Sequence, residues 1–123
     1  MVGRTPLPST TRVLLAEESS FVSDRLKDYL EERGFQVRVA PTGTAALELV
    51  RSFKPDFVLY DMMLSDLHAI GFLKTMKLEG LLGDDKVSNG RARVFVMSSH
   101  NSQFNVKECL KAGAVDYLVK PVK

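Results

Sequence analysis

The stretch PDFVLYDMMLSDLHAIGFL, residues 55–73, decides how this chain folds. Pro55 disfavours helical geometry in the residue before it, so a preceding helix must end near Lys54. The run FVLY (57–60) is apolar at every position, as expected of a strand covered on both faces in a parallel sheet. It stops at Asp61. After a short polar loop, Ala69, Phe72, Leu73 and Met76 recur at helical spacing. In an open parallel sheet, ligands bind outside the carboxyl ends of the strands. Asp61 therefore stands where chemistry would be done.

The same unit repeats on either side. VLLA (13–16) runs into Glu17 and Glu18, VFVM (94–97) into Ser98, and YLV (117–119) into Lys120. The spacing predicts strands over 11–16, 35–39, 57–60, 94–97 and 115–119. Ser19 or Ser20 can cap a first helix striped by Val22, Leu26, Tyr29 and Leu30, which Gly34 stops at a left-handed position. Thr42 or Thr44 can cap a second, lined by Ala46, Leu49, Val50 and Phe53. A fourth carries Val106, Cys109 and Leu110 and ends at Gly113. The alternation βαβαβαβαβ implies an α/β fold, with a parallel sheet and right-handed crossovers. The breaker-rich loop over 80–90 receives no function. Residues 1–10, with Gly3, Pro6 and Pro8, read as a flexible N-terminal tail, leaving one domain over 11–123.

Composition narrows the classes. The chain has 123 residues, 45% hydrophobic and 26% charged, which suits one soluble globular core. The net charge of +2 is small and the basic residues are scattered. Direct nucleic-acid binding by this domain is not expected. No apolar stretch approaches the ~20 residues of a membrane span, and no signal-peptide core opens the chain. Cys109 is the only cysteine, so no internal disulfide exists and a cytoplasmic setting is expected.

If the strands share one sheet, Glu17, Glu18, Asp61, Ser98 and Lys120 meet at its rim. Carboxylates ~4 Å apart repel by about 4 kcal/mol per pair at an effective dielectric near 20. A divalent cation and the Lys120 ammonium are the natural compensators. Mg2+ takes oxygen ligands and keeps waters beside one or two carboxylates. A carboxylate so held can attack phosphorus to give an acyl phosphate. Lys120 and the Ser98 hydroxyl could hold the equatorial oxygens.

These residues resemble those of the receiver domain of two-component response regulators, over nearly all of 11–123. The quoted stretch around Asp61 is similar to the family's phosphoacceptor segment. VLLAEESS is similar to its first strand and acidic pair, MSSH to its Ser/Thr strand, and AGAVDYLVKP to its closing lysine motif. The resemblance implies a flavodoxin-like, doubly wound five-stranded sheet of order 2-1-3-4-5. It implies Mg2+-dependent phosphoryl transfer to Asp61 from a sensor histidine kinase or phosphotransfer protein. Glu17, Glu18, Asp61 and the Met63 backbone carbonyl would be the metal donors, Ser98 and Lys120 the catalytic partners, and Tyr117 the switch coupling to helix four and strand five. Lys120–Pro121 would be a cis peptide. At most the domain would catalyse its own phosphorylation and dephosphorylation, so it is not expected to be an enzyme in the usual sense.

Several positions depart from the family's usual pattern. Both acidic-pair residues are Glu, Ser65 replaces the usual Pro, and His68-Ala69 replaces the common Asp-Gly. If that Gly has positive φ, Ala69 is strained. These changes define the alternative, a receiver-like interaction module with weak or no phosphorylation. An aspartate-based phosphatase would want a second Asp where Met63 stands. A flavin or dinucleotide binder would want a phosphate loop where Glu17 and Glu18 stand. The family's last helix is missing from this sequence. Such a helix buries about four apolar side chains, roughly 6–12 kcal/mol of burial. The uncovered sheet face is therefore expected to be screened by a second copy in a homodimer, by another partner or by a rearranged segment.

Overall fold

The computed structural model describes residues 11–83, 91–99 and 103–120. The expected N-terminal tail, most of the 80–90 loop and the Lys120–Pro121 peptide lie outside the described residues. Among the described residues nine elements alternate: β1 (Arg12–Ala16), α1 (Ser20–Glu32), β2 (Gln36–Ala40), α2 (Gly43–Phe53), β3 (Phe57–Asp61), α3 (Ala69–Leu78), β4 (Arg93–Ser98), α4 (Gln103–Lys111) and β5 (Asp116–Val119). The strands form one parallel sheet in the order β2-β1-β3-β4-β5. This is the predicted topology, with no strand end moved by more than one residue.

Capping chemistry sets the helix starts. The Ser19 hydroxyl accepts the Val22 N–H at 3.3 Å, and Thr42 Oγ1 accepts the Ala45 N–H at 3.1 Å. α2 stops where expected: Lys54 adopts the left-handed conformation (φ 52°) directly before Pro55. α1 stops at Arg33, and Gly34 follows with φ 93°.

Alternation along the strands sends side chains to two cores. Leu14, Ala16, Val58, Tyr60, Val94 and Val96 face α2, α3 and α4, where Ala46, Phe72, Leu73, Met76 and Cys109 are fully buried. Val13, Leu15 and Val37 face the other way and pack against Leu26 and Leu30 of α1. On that second face Phe57, Leu59, Phe95 and Leu118 are only partly covered. The rings of Phe57 and Phe95 lie 6.0 Å apart.

Two stripe residues turn outward. Tyr29 is 45% exposed with the Arg33 guanidinium 3.7 Å from its ring centroid, and Leu110 is 43% exposed. Each sits at the border of its helix's apolar arc, where periodicity does not distinguish a core position from a flanking one. Ala69 is not strained. It is the first residue of α3, it lacks positive φ, and its N–H donates to the Met62 carbonyl at 3.2 Å. No described helix is long and apolar enough to cross a membrane.

Candidate functional site

The parallel register carries the ends of β1, β3, β4 and β5 to one edge. Glu17 follows β1, and its N–H extends the ladder to the Ala40 carbonyl at 3.0 Å. Its side chain is therefore turned inward, 3% exposed. Lys120 follows β5, fixed by its own N–H to the Ser98 carbonyl at 2.7 Å. The Lys120 ammonium donates to Glu17 Oε1 at 2.6 Å and lies 3.3 Å from Asp61 Oδ2. Burial alone would lower the Lys120 pKa. The Glu17 hydrogen bond and the charges of Asp61 and Glu17 outweigh it and hold the ammonium above its ordinary value. The site thus carries a fixed cation between two carboxylates.

Asp61 closes β3, its side chain 14% exposed. Its Oδ1 accepts the Met63 N–H at 3.1 Å, a local turn that aspartate favours. Glu18 is exposed, and its Oε1 accepts the Ser65 N–H at 3.3 Å. Ser98 ends β4, 2% exposed, opposite Val119. Tyr117 lies inward in β5, 9% exposed within the larger core. The residues singled out from the sequence gather at this edge, with Tyr117 one layer below it.

Both Glu17 oxygens are engaged, Oε1 by Lys120 and Oε2 by the Ser19 N–H at 3.0 Å. Glu17 thus anchors Lys120, its carboxylate buried against the ammonium. Among the described residues no three His, Cys, Asp or Glu side chains converge to hold a metal. Glu18 and Asp61 are more open than Glu17, and the Met63 carbonyl belongs to the same loop. Two carboxylates and a carbonyl are hard oxygen donors, and they fit Mg2+, which fills its other positions with water.

Two residues that sequence reasoning missed hold the loop after Asp61 from behind. Asp66 Oδ1 accepts the Gly43 N–H at 2.8 Å. Its Oδ2 accepts the Thr44 N–H and the Thr44 hydroxyl, both at 3.0 Å. The amide of Gly43, then that of Thr44, hold the Asp66 carboxyl below its ordinary range. The Tyr60 hydroxyl donates to the Leu67 carbonyl at 2.7 Å, while its ring stacks on Phe72 at 4.0 Å. The only sequence signal was the glycine at the start of α2.

A family model described as response regulator receiver domain matches residues 13–123. The chemotaxis protein CheY of Thermotoga maritima is 32% identical over 112 residues, covering 89% of this chain and 85% of that protein. The structure of the Francisella response regulator 1452 receiver domain superposes with a TM-score of 0.79 at 30% identity, covering 93% of this chain and 87% of that one. The fold also matches a co-crystal of the Saccharomyces cerevisiae histidine phosphotransfer protein Ypd1 with the receiver domain of its downstream response regulator Ssk1. There the TM-score is 0.79 at 24% identity, covering 93% and 81%.

Proposed function

This chain belongs to the response regulator receiver domain family, and on that footing we propose that Asp61 accepts a phosphoryl group from the phosphohistidine of a sensor histidine kinase or phosphotransfer protein. The observation that carries the reading is the Lys120 ammonium, 2.6 Å from Glu17 and 3.3 Å from Asp61 at the strand edge.

A carboxylate oxygen of Asp61 attacks phosphorus in line. The new P–O bond forms as the P–N bond to the histidine ring breaks, and the ring nitrogen leaves with the electron pair. The product is an acyl phosphate on Asp61. Negative charge on the equatorial oxygens is met by the Lys120 ammonium, which Glu17 keeps at the rim, and by the Ser98 hydroxyl. Glu18, Asp61 and the Met63 carbonyl would hold Mg2+, which when bound supplies further charge neutralisation. Ser98 then orients toward the phosphoryl group, and the inward position of Tyr117 is stabilised. That biases the surface formed by α4 and β5 between two populations.

The test is an amide NMR spectrum recorded with Mg2+ and beryllofluoride. Shifts confined to the Asp61 edge, α4 and β5, abolished by Asp61→Asn, are expected. A spectrum unchanged at millimolar Mg2+ would overturn the reading.

A further inference from the structure

We propose that Asp66 is a positioning residue for the phosphoryl-accepting loop, tethering it to the first turn of α2 in place of the stiffness a proline at position 65 would supply. The proposal rests on the reading of Asp61 given above and deepens it.

The tether is built from complementary deficits. The first turn of any helix leaves amides without partners. In α2 these amides are shared between two side chains: Thr42 takes Ala45, and Asp66, more than twenty residues away, takes Gly43 and Thr44. A carboxylate at a helix amino end also gains from the helix dipole. The approach is close enough to require glycine. A Cβ on Gly43 would lie 2.5 Å from Leu67 Cβ and 2.6 Å from the Tyr60 hydroxyl. Asp66 and Tyr60 therefore grip the loop at consecutive residues, one by a side chain and one at the Leu67 carbonyl.

The grip lies just past the chemistry. Met63, whose carbonyl is the proposed donor, has its N–H on Asp61, and the Ser65 N–H lies on Glu18. The segment from Met63 to Leu67 is thus pinned at both ends, leaving its carbonyls a restricted orientation. Within the segment only Leu64 is buried, 1% exposed in the larger core, which holds its side chain and leaves the flanking peptide planes to the other contacts. Ser65 lacks the ring by which a proline would fix φ, and His68 precedes α3 without a side-chain cap. The tether to α2 substitutes a tertiary restraint for a local one. Asp66 acts through Met63 and Ser65 and touches no reacting atom.

The experiment compares the wild-type chain with Asp66→Ala, Asp66→Asn and Tyr60→Phe. Mg2+ binding is measured by calorimetry, and phosphorylation by acetyl phosphate is followed across Mg2+ concentration. Asp66→Ala is expected to weaken Mg2+ about tenfold, the effect of losing an outer support of a metal site. The rate at saturating Mg2+ should stay within about twofold. Asp66→Asn, which keeps one acceptor oxygen, should fall between. Unchanged Mg2+ affinity in a variant that has lost stability would make Asp66 a helix cap alone and overturn the proposal. If the wild-type chain neither binds Mg2+ nor takes up phosphoryl, the reading of Asp61 fails separately. Hydrogen exchange then decides the tether: Asp66→Ala should speed exchange at the Met63 and Ser65 amides about tenfold. Unchanged exchange there overturns it.

Discussion

The Lys120 ammonium and the Glu17 carboxylate, separated by 103 residues in sequence, meet at 2.6 Å with Glu17 only 3% exposed. A buried carboxylate of this kind is tolerable because it is paired. The same ammonium reaches Asp61 at 3.3 Å, so one cation answers two acids.

Removing that cation should therefore cost more than removing the pair. Lys120→Met strands the Glu17 charge, and a loss of about 2–3 kcal/mol in urea unfolding is expected. The figure sits below the range for fully buried pairs because Lys120 keeps 20% exposure. The double variant Glu17→Gln/Lys120→Met should recover much of the loss. A single variant as stable as the parent would refute the pairing.

The pair also has a pH signature. Its folded-state lysine pKa lies above the ordinary 10.5, so its stabilisation is complete below that value and is lost as pH rises through the folded value. Thermal melts of the parent and the double variant should keep a constant difference from neutrality to about pH 10.5, converging only beyond it. Convergence already near pH 8 would contradict the ion pair.

Asp66 behaves oppositely. Its carboxyl is depressed in the fold, so its contribution is present above the ordinary 3.8 and disappears as pH falls through the folded value. Asp66→Asn should be less stable than the parent at neutral pH, with the gap closing in acid. A gap independent of pH down to the acid transition would speak against the two amide contacts.

His68 offers a gain. It stands at the amino end of α3 with φ −62° and ψ 152°, and its side chain makes no capping hydrogen bond. His68→Asp supplies an acceptor for the free amides of the first turn. It should add about 1 kcal/mol, or roughly 3–5 °C in melting temperature. An unchanged melt would mean the loop cannot present a cap there.

Much of this was legible in the chain itself, for identifiable reasons. The runs at 13–16, 57–60 and 94–97 are apolar throughout because one face packs fully under α2, α3 and α4 and the other is at least partly covered, and the residues ending them could only lie along one edge. Ser19, Thr42, Lys54 and Gly34 act within a turn of their own position, so local chemistry revealed them. Partners at long range were hidden. That Glu17 would spend both oxygens on Lys120 and the Ser19 amide depends on how far β1 turns it inward. That Asp66 would cap α2 depends on a loop path that composition does not encode. Tyr29 and Leu110 show the complementary error, where a helical stripe is wider than the surface it covers.

The most direct measurement is mass spectrometry of the chain after incubation with acetyl phosphate and Mg2+, with the acyl phosphate trapped by borohydride before digestion. One modified site is predicted, in the peptide carrying Asp61, absent when Mg2+ is chelated and absent in Asp61→Asn. An unmodified chain, or the label on another residue with Asp61 intact, would contradict the account.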